Sequence, residues 1–598
     1  MEDFLFLTFL VLFMESLPVH RSNWWFLIGS GLVNTIVLSF VLLCLTFISG
    51  HGLAAWHFPL AFILALLINY LAARHFYPGE FFPVFIRTTL IILIIILISI
   101  FISGLFYDIS PDGQMYHMES AIQMKAGWNP FKKELPIELN QAIWLNHYGK
   151  GVEDPQATIY AFTNRLETTK STNFILLAAS FCLCMSFLVR LNRFSFRKCI
   201  LFSTLMAFNP VTFYQLLNTY LDGQLASFLL CFIAIACLLY LEANRYFLIL
   251  LASILIILIN IKFTALVFAG IFTTGMLLAF IVGKRWQAFK RAFVVSSIAT
   301  IFAVGVVGYF PYMINILQYH DIFYPGLKVL KSEAAKFTVP RLIHKNQFSK
   351  FIISFFSHTD NLRLTSTKDP VIRAKIPFMF DKTDIFNASK PYVVYMAGLG
   401  PFFSGICLSA IFIFGYWFWR LKNWRTALPF IIMSGTILLS VLIISEAWYA
   451  RYVPQLWFFP LVLLIASEAD QGRIIRKIRH FLYILMIVDI SFCLASFPYV
   501  YYKTAQIKYE LDQLKASKKI IPVEFTYFTS NRARFIEYDI PFREVPIPNN
   551  SATFMSSSST KIIPPAIMPD LPKSLVLRTG EKIVKHFNLN DTTGYRVL

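Results

Sequence analysis

Long apolar runs separated by short polar connections make up most of the chain as far as residue 500. A helix needs about 20 apolar residues to cross the hydrocarbon core of a bilayer. Runs of roughly that length lie at 24–48, 53–73, 87–106, 172–190, 199–217, 222–241, 245–261, 264–283, 292–313, 392–419, 426–445, 453–468 and 479–499. They predict an all-α polytopic membrane protein with thirteen spans.

A shorter apolar run, Phe4 to Phe13, would add a fourteenth span if it crosses the bilayer. No basic residues precede it and no small-residue cleavage site follows it, so we interpret it as a retained segment and not as a signal peptide.

Three polar segments interrupt this pattern. The loops 107–171 and 314–391 are long, and hydrophobicity falls again over 501–598. Loop 314–391 contains Phe348 to Phe356, a run too short to span, with lysines nearby, which suits a helix lying in the membrane interface. We therefore divide the chain into an N-terminal transmembrane extension (1–86), a transmembrane core (87–500) and a C-terminal domain (501–598).

The C-terminal segment mixes short β-like runs with Pro-rich and Ser-rich connectors. Val523 to Phe528 and Lys573 to Arg578 are the two β-like runs. This mixture is typical of a small α/β domain attached to the membrane part.

Charge then assigns the two sides of the membrane. The net charge is +20 with only 14% charged residues, and the basic residues concentrate in four short connections: 190–198, 284–291, 420–425 and 473–479. The positive-inside rule puts these connections in the cytoplasm. We therefore attribute the basic balance to topology and expect no nucleic-acid partner. The two long loops and the C-terminal domain are then expected on the opposite side.

The eight cysteines lie in or beside apolar runs and offer no metal-ligand spacing, so neither a disulfide framework nor a Cys/His metal site is predicted.

The stretch after the span 87–106 is rich in groups that can carry chemistry. Ser110-Pro111 suits a helix start and Gly127 a helix end. The candidate residues here are Asp108, Asp112, Tyr116, His117 and Glu119. On a helix, Asp112, Tyr116 and Glu119 share one face. Each acid has an ordinary alternative role, as a turn or cap residue facing solvent.

The same predicted side of the membrane collects further charges. Asp222 lies in NTYLDGQ, Lys262 lies in INIKFT, and SEAWYARYVPQLW contains Glu446, Arg451 and Tyr452. A single lysine or arginine at a membrane boundary can simply extend its side chain to water. Several acids and cations are expected here at the same depth and on the same side of the membrane. Together they indicate a binding or catalytic site.

Such a set suits group transfer from a lipid-linked phosphate. Arg451 and Lys262 can neutralise the phosphate, while a carboxylate removes the proton from an attacking hydroxyl. Asp108, Asp112 and Asp222 are also hard oxygen ligands, so we name Mg²⁺ or Mn²⁺ as a candidate cofactor.

The acidic loop after a span, the YLDGQ turn and the WYARY element resemble the C-type (GT-C) superfamily of integral membrane glycosyltransferases, which includes protein O-mannosyltransferases and the lipid A aminoarabinose transferase. The resemblance implies a polyprenyl-phosphate-linked sugar donor and a multi-pass enzyme of the cell (inner) membrane whose active site faces the periplasm. It puts the role of base or metal ligand on Asp108 and Asp112, and phosphate binding on Arg451. Two departures are the extra spans before residue 87 and the lack of an adjacent Asp-Glu pair, which leaves the acceptor open as glycan, lipid or protein.

Three alternatives remain open at this point. A polymerase or ligase of lipid-linked glycans would use the same cations with a larger donor. A transporter or flippase would place ionisable groups inside its spans, where Asp489 is the main acid. A scaffold without catalytic activity would bind the donor lipid and not turn it over.

Overall fold

The computed structural model describes residues 21–139, 141–325, 340–360, 373–388, 393–470, 472–556 and 559–586. The predicted segment Phe4 to Phe13 lies outside these residues.

Helices make up most of the described chain. The α-helices are α1 (Arg21–Ile48), α2 (His57–Phe76), α3 (Phe81–Leu105), α4 (Met118–Lys125), α5 (Ala142–His147), α6 (Glu153–Thr163), α7 (Ser171–Leu191), α8 (Phe196–Ala207), α9 (Pro210–Tyr214), α10 (Asp222–Leu241), α11 (Arg245–Ile261), α12 (Phe263–Val282), α13 (Trp286–Phe302), α14 (Ile314–Tyr319), α15 (Pro340–Ile343), α16 (Gln347–Phe355), α17 (Lys382–Ala388), α18 (Phe403–Trp419), α19 (Leu428–Leu442), α20 (Phe458–Ala466), α21 (Arg473–Leu494), α22 (Phe497–Ser517), α23 (Asn531–Glu537) and α24 (Leu575–His586).

Eight helical segments of the described residues are long and apolar enough to cross a membrane: Ser22–Ile48, His57–Phe76, Phe81–Leu105, Leu166–Leu191, Asp222–Leu241, Phe263–Val282, Trp286–Val307 and Arg473–Ser517. Four further apolar helices are shorter: Arg245–Ile261, Phe403–Trp419, Leu428–Leu442 and Pro454–Ala469. These segments fit a multi-pass membrane protein.

The predicted span 199–217 is wrong as a continuous helix. The chain breaks between α8 and α9, because Pro210 has no backbone N–H to donate and the Asn209 side chain instead caps the new helix by accepting from the Val211 N–H at 2.9 Å.

Polar contacts between spans help to hold the helical core together. Helix α1 packs against α2 and α7. The buried amide of Asn69 on α2 donates to the Leu27 carbonyl at 2.8 Å and accepts from Ser30 at 3.0 Å. An amide inside the hydrocarbon region must find such partners, so these bonds fix the rotation of α1 against α2.

The predicted helix after residue 110 forms, and its helical residues begin at Pro111 as expected. A π-helical turn, Gly113–His117, then leads into α4, and the Ser110 hydroxyl donates to the Asp108 carboxylate instead of capping the helix. Gly127 has φ +102° just beyond the helix, as the predicted stop requires. Beyond this turn the predicted partners separate, because Asp112 pairs with Arg451 whereas Glu119 accepts from Thr529 of the C-terminal domain.

The C-terminal domain is built on one small sheet. Its strands are β1 (Ile521–Phe525), β2 (Phe542–Glu544), β3 (Thr553–Phe554) and β4 (Thr560–Ile562), in the order β2-β1-β4-β3, with β1 and β2 parallel. The first predicted β-like run, Val523 to Phe528, is confirmed over residues 523–525, and its strand begins two residues earlier. The second, Lys573 to Arg578, is wrong, because that segment begins α24.

Loop 314–391 includes the expected short helix. Helix α16 exposes Phe348 and Ile352, and the Gln347 amide donates to the carbonyl of Leu442 at the end of α19. This contact puts α16 beside the end of an apolar helix, in agreement with an interfacial helix.

Candidate functional site

Four of the charged residues singled out in the sequence converge in space. Arg451 Nη1 donates to Asp112 Oδ2 at 2.9 Å, and its Nε lies 3.8 Å from Asp222 Oδ2. Lys262 forms an ion pair with the other oxygen of Asp222. Residues more than 300 positions apart therefore form one alternating chain of charges: acid, arginine, acid, lysine.

Tyrosine rings surround the two cations. The Arg451 guanidinium lies 4.8 Å from the ring centre of Tyr220, 4.9 Å from Tyr449 and 5.3 Å from Tyr452. Lys262 Nζ lies 5.5 Å from the ring of Tyr452. Aromatic faces attract cations, so the rings hold both groups in place without supplying a neutralising charge.

The charged side chains of the cluster come from helix ends and from a turn between helices. Asp222 is the first residue of α10, where the helix dipole stabilises a carboxylate. Lys262 is the single extended residue between α11 and α12. Arg451 lies in a 3-10 turn, Ala450–Tyr452, whose N–H groups pair with the carbonyls of Tyr395 and Val394 at 3.0 Å.

Arg451 keeps unused binding capacity. The residue is only 7% exposed, and its buried Nε has no hydrogen-bond partner among the described residues. A buried donor without an acceptor costs free energy, so the position is suited to an added oxygen ligand. The Asp112 side chain beside it is 17% exposed and remains reachable from solvent.

Asp108 has a different environment from Asp112. Its carboxylate accepts four hydrogen bonds at 2.6–2.7 Å, from the N–H and hydroxyl groups of Ser110 and of Thr219. It therefore ties the first loop to the turn that precedes Asp222. A Cβ on Gly113 would lie 2.4 Å from its Oδ2, so the anchor also requires glycine there.

Two predicted acids lie away from the cluster. Glu119 accepts from Gln123 at 2.7 Å and from Thr529 of the C-terminal domain at 2.8 Å. Glu446 accepts from Trp448 and lies 3.7 Å from Lys350. Both carboxylates join elements of the fold and neither contacts Arg451.

His117 takes part in a second buried group that sequence reasoning missed. Its Nδ1 lies 2.9 Å from Glu153 Oε1, and Lys150 Nζ lies 4.0 Å from the same oxygen. Burial alone would raise the pKa of Glu153, but Lys150 and the His117 hydrogen bond outweigh it and the net pKa lies below the ordinary value of 4.5. An ionised carboxylate only accepts, so the Nδ1–H of His117 donates to Glu153.

The two groups are neighbours. The Tyr220 ring, which contacts the Arg451 guanidinium, also makes an edge-to-face contact with the His117 ring, with 6.4 Å between the ring centres. Tyr116, another predicted residue, lies against His117 at 4.2 Å. The acid-rich segment KGVEDPQ, from Lys150 to Gln156, was the available sequence signal for this second group.

The acids proposed as metal ligands do not fit a divalent ion. Asp108 is saturated by four donors, and Asp112 and Asp222 each face a cation that a metal would have to displace. Within the described ranges one other group has ligand spacing, His358 with Asp381 and Asp384. There too Arg373 lies 3.1 Å from Asp381 and Lys375 lies 3.8 Å from Asp384, which neutralises the acids.

An apolar cleft opens beside the Arg451 turn. Its empty volume is about 390 Å³, its open mouth included. Phe351 and Phe355 of α16, Phe403 of α18 and Leu456 line it, together with Ala450, the first residue of the turn, and Val453, which follows the turn. Apolar surface thus reaches within one residue of the buried arginine.

Comparison of the chain with models of known protein families, with curated proteins and with solved structures finds no match.

Proposed function

We propose that the protein is a membrane glycosyltransferase that moves a sugar from a polyprenyl-phosphate-linked donor to a hydroxyl acceptor. The observation that carries this proposal is Arg451, a buried arginine shared between two carboxylates and set between an apolar cleft and an accessible acid. Its Nε lies 3.8 Å from Asp222 but has no hydrogen-bond partner among the described residues.

The cluster suggests how the donor is bound. A phosphate oxygen at Arg451 competes with Asp112 for the guanidinium, because phosphate and carboxylate use the same two-pronged hydrogen-bond geometry. Lys262 supplies a second positive charge on the far side of Asp222. The prenyl chain then occupies the apolar cleft.

Donor binding in this way activates the base. When the phosphate takes over Arg451, Asp112 loses its ion pair and its carboxylate oxygen becomes free to take a proton from the acceptor hydroxyl. The acceptor oxygen attacks the anomeric carbon, the bond from that carbon to the phosphate oxygen breaks, and Asp112 takes the acceptor proton. The leaving prenyl phosphate keeps the bonding electrons, and Arg451 and Lys262 stabilise its charge.

The proposal also includes the membrane in which the protein lies and the side on which the Arg451 cluster is found. A GT-C-like arrangement of the apolar helices in a cell (inner) membrane, with the Arg451 cluster on the non-cytoplasmic face, agrees with the basic connections at the opposite ends of the helices.

Binding and transfer can be tested separately. Purified protein is mixed with polyprenyl-phosphate sugars of different head groups, and binding is followed by native mass spectrometry. We expect Arg451→Lys to lose most donor binding, because lysine cannot replace the paired contacts. Arg420→Lys is the control, since its side chain is 54% exposed at the far end of α18. Equal donor binding by the unsubstituted protein, Arg451→Lys and Arg420→Lys would rule out the phosphate role of Arg451.

Transfer is measured with the donor that binds. Asp112→Asn should bind donor and turn over at least about 100-fold more slowly, the usual loss on removing a catalytic base. Chelators should leave the rate unchanged, because the cluster has no free ligand set for a metal. Full activity of Asp112→Asn would contradict the proposal, and a lipid-linked glycan as the preferred donor would favour the ligase alternative.

A further inference from the structure

A basic helix of the C-terminal domain runs down the outside of the last long helix. The carbonyl of Pro569 accepts from Gln513 at 2.9 Å, and the carbonyl of Leu571 accepts from Tyr509 at 3.3 Å. Gly580 lies against the ring of Tyr502, because a Cβ there would meet Cδ2 of that ring at 2.0 Å. Rising residue numbers from Pro569 through Gly580 on α24 thus pair with falling numbers on α22.

Contacts with a second helix mark the level of the membrane surface on α22. Helix α3 ends at Leu105, and the next residues contact α22 directly: the rings of Phe106 and Tyr501 lie 5.8 Å apart, and the Tyr107 N–H donates to Thr504 at 3.0 Å. Tyrosines at the end of an apolar helix are typical of the lipid–water interface. The surface therefore crosses α22 near residues 501–504.

The second half of α24 continues past this level. Glu581 to His586 follow Gly580 and, at 1.5 Å per residue, reach about 9 Å further along α22. This half exposes Ile583, which is 48% accessible, together with Lys582 and Lys585. Its one acid, Glu581, is paired with Lys573 at 2.7 Å. The exposed charge of this half is therefore positive.

We propose that the second half of α24 is embedded in the headgroup region of the bilayer and binds anionic lipid. Ile583 enters the boundary between headgroups and acyl chains, and Lys582 and Lys585 contact lipid phosphates. This is how a basic amphipathic helix lies on a membrane. The C-terminal domain is thereby fastened to the bilayer beside α22, independently of the proposed transferase activity.

Spin labels on the full chain test the depth of the helix. The protein is placed in nanodiscs of neutral lipid or of neutral lipid with phosphatidylglycerol, carrying Ile583→Cys or, as the matched control, Leu575→Cys. Leu575 is the more exposed residue, at 71%, but lies at the start of α24 above the surface. The unsubstituted protein, labelled in parallel, gives the background of the native cysteines.

The expected result is a clear difference between the two positions. The label at residue 583 should be reached by oxygen and shielded from a water-soluble nickel complex, and the label at 575 should show the reverse. Shielding at 583 should increase in anionic discs, and Lys582→Gln with Lys585→Gln should remove that increase. Equal nickel access at both positions in both lipids overturns the proposal, and shielding that ignores lipid charge overturns the anionic-lipid part. Both labelled positions are exposed, so folding should not be affected.

Discussion

At the scale of single residues, the two neighbouring aspartates of the first loop have separate tasks. Asp108 is buried and accepts four hydrogen bonds from two short segments, whereas Asp112 is partly accessible and has an arginine partner. Burial raises the pKa of Asp108, and its four hydrogen bonds hold both carboxylate oxygens in place, so this carboxylate is a strong structural anchor. A carboxylate whose arginine partner can move to a phosphate becomes free to take the acceptor proton.

The first prediction separates these tasks by substitution. Asp108→Asn should lower the free energy of unfolding by about 2 kcal/mol, because an amide nitrogen replaces an acceptor that faces donors. Asp112→Asn should cost less stability than Asp108→Asn, because the amide oxygen can still accept from Arg451 and Asp222 still faces the guanidinium, and it should reduce transfer. Thermal unfolding in detergent, measured beside the transfer rate, checks both effects. The reverse pattern, a stable Asp108→Asn and an unstable Asp112→Asn, would contradict this assignment.

The second prediction concerns Glu153 and acid. Its lowered pKa means that the folded protein holds this carboxylate ionised, so its contribution to stability is present above the ordinary pKa of 4.5 and is lost as the pH falls through the lower folded value. Glu153→Gln should therefore be less stable at neutral pH by about 1–3 kcal/mol. The difference from the unsubstituted protein should shrink below pH 4.5.

Unfolding temperatures across this pH range make the measurement. The exposed Glu138, from the same loop, provides the control Glu138→Gln. A stability difference that stays constant down to low pH would show that Glu153 acts through packing and not through its charge.

At the scale of elements, one buried ion network attaches the C-terminal domain to the loop of the site. Arg534 on α23 donates to Glu167 Oε1 at 2.7 and 2.9 Å and to the carbonyl of Asp108 at 2.6 Å. Glu167 also pairs with Lys170 and accepts from the Asp108 N–H at 2.8 Å. The position of the domain and the backbone of the acidic loop therefore depend on the same contacts.

The third prediction uses two arginines of the same helix. Arg534→Met leaves Glu167 with less compensation in a buried place and should cost about 3 kcal/mol. Arg532→Met removes a half-exposed pair with Glu544 and should cost less than about 1 kcal/mol. Limited proteolysis should cut the connection near residue 520 faster in Arg534→Met alone. Equal behaviour of the two variants would show that the domain is held by other contacts.

At the scale of the whole molecule, the charged cluster lies where several helix ends meet. Helix α10 begins there, and α11 and α12 meet there at Lys262. The four basic connections lie at other ends of the apolar helices. A protein built this way separates the groups that set its orientation from the groups that can act on a ligand.

The fourth prediction follows from that separation. A cysteine at Lys133, in the first long loop, and a cysteine at Lys422, in a basic connection, are both exposed in the fold. A maleimide that cannot cross membranes should label Lys133→Cys from outside intact cells and Lys422→Cys only after the cells are opened. Labelling of both from one side would contradict the proposed topology.

The sequence by itself determined the membrane class, the positions of most spans and the charged candidates, because apolar length and charge are local properties that need no partner. It also indicated the segments that carry Asp112, Asp222, Lys262 and Arg451. Tertiary structure decided which candidates meet: Asp112 pairs with a residue 339 positions away, whereas Glu119 and Glu446 join other elements.

Tertiary structure also decided features that no local pattern carries. The π-turn at Gly113–His117, the pairing of His117 with Glu153 and the role of Asp108 as an anchor each depend on contacts with a distant segment. Such contacts form only when the helices pack, because a buried polar group takes the partners that the packed neighbours present. These features could not be predicted because the contacting residues lie far apart along the chain. Local sequence preferences determine the helices and strands, and the packing of those elements determines which buried polar groups become partners.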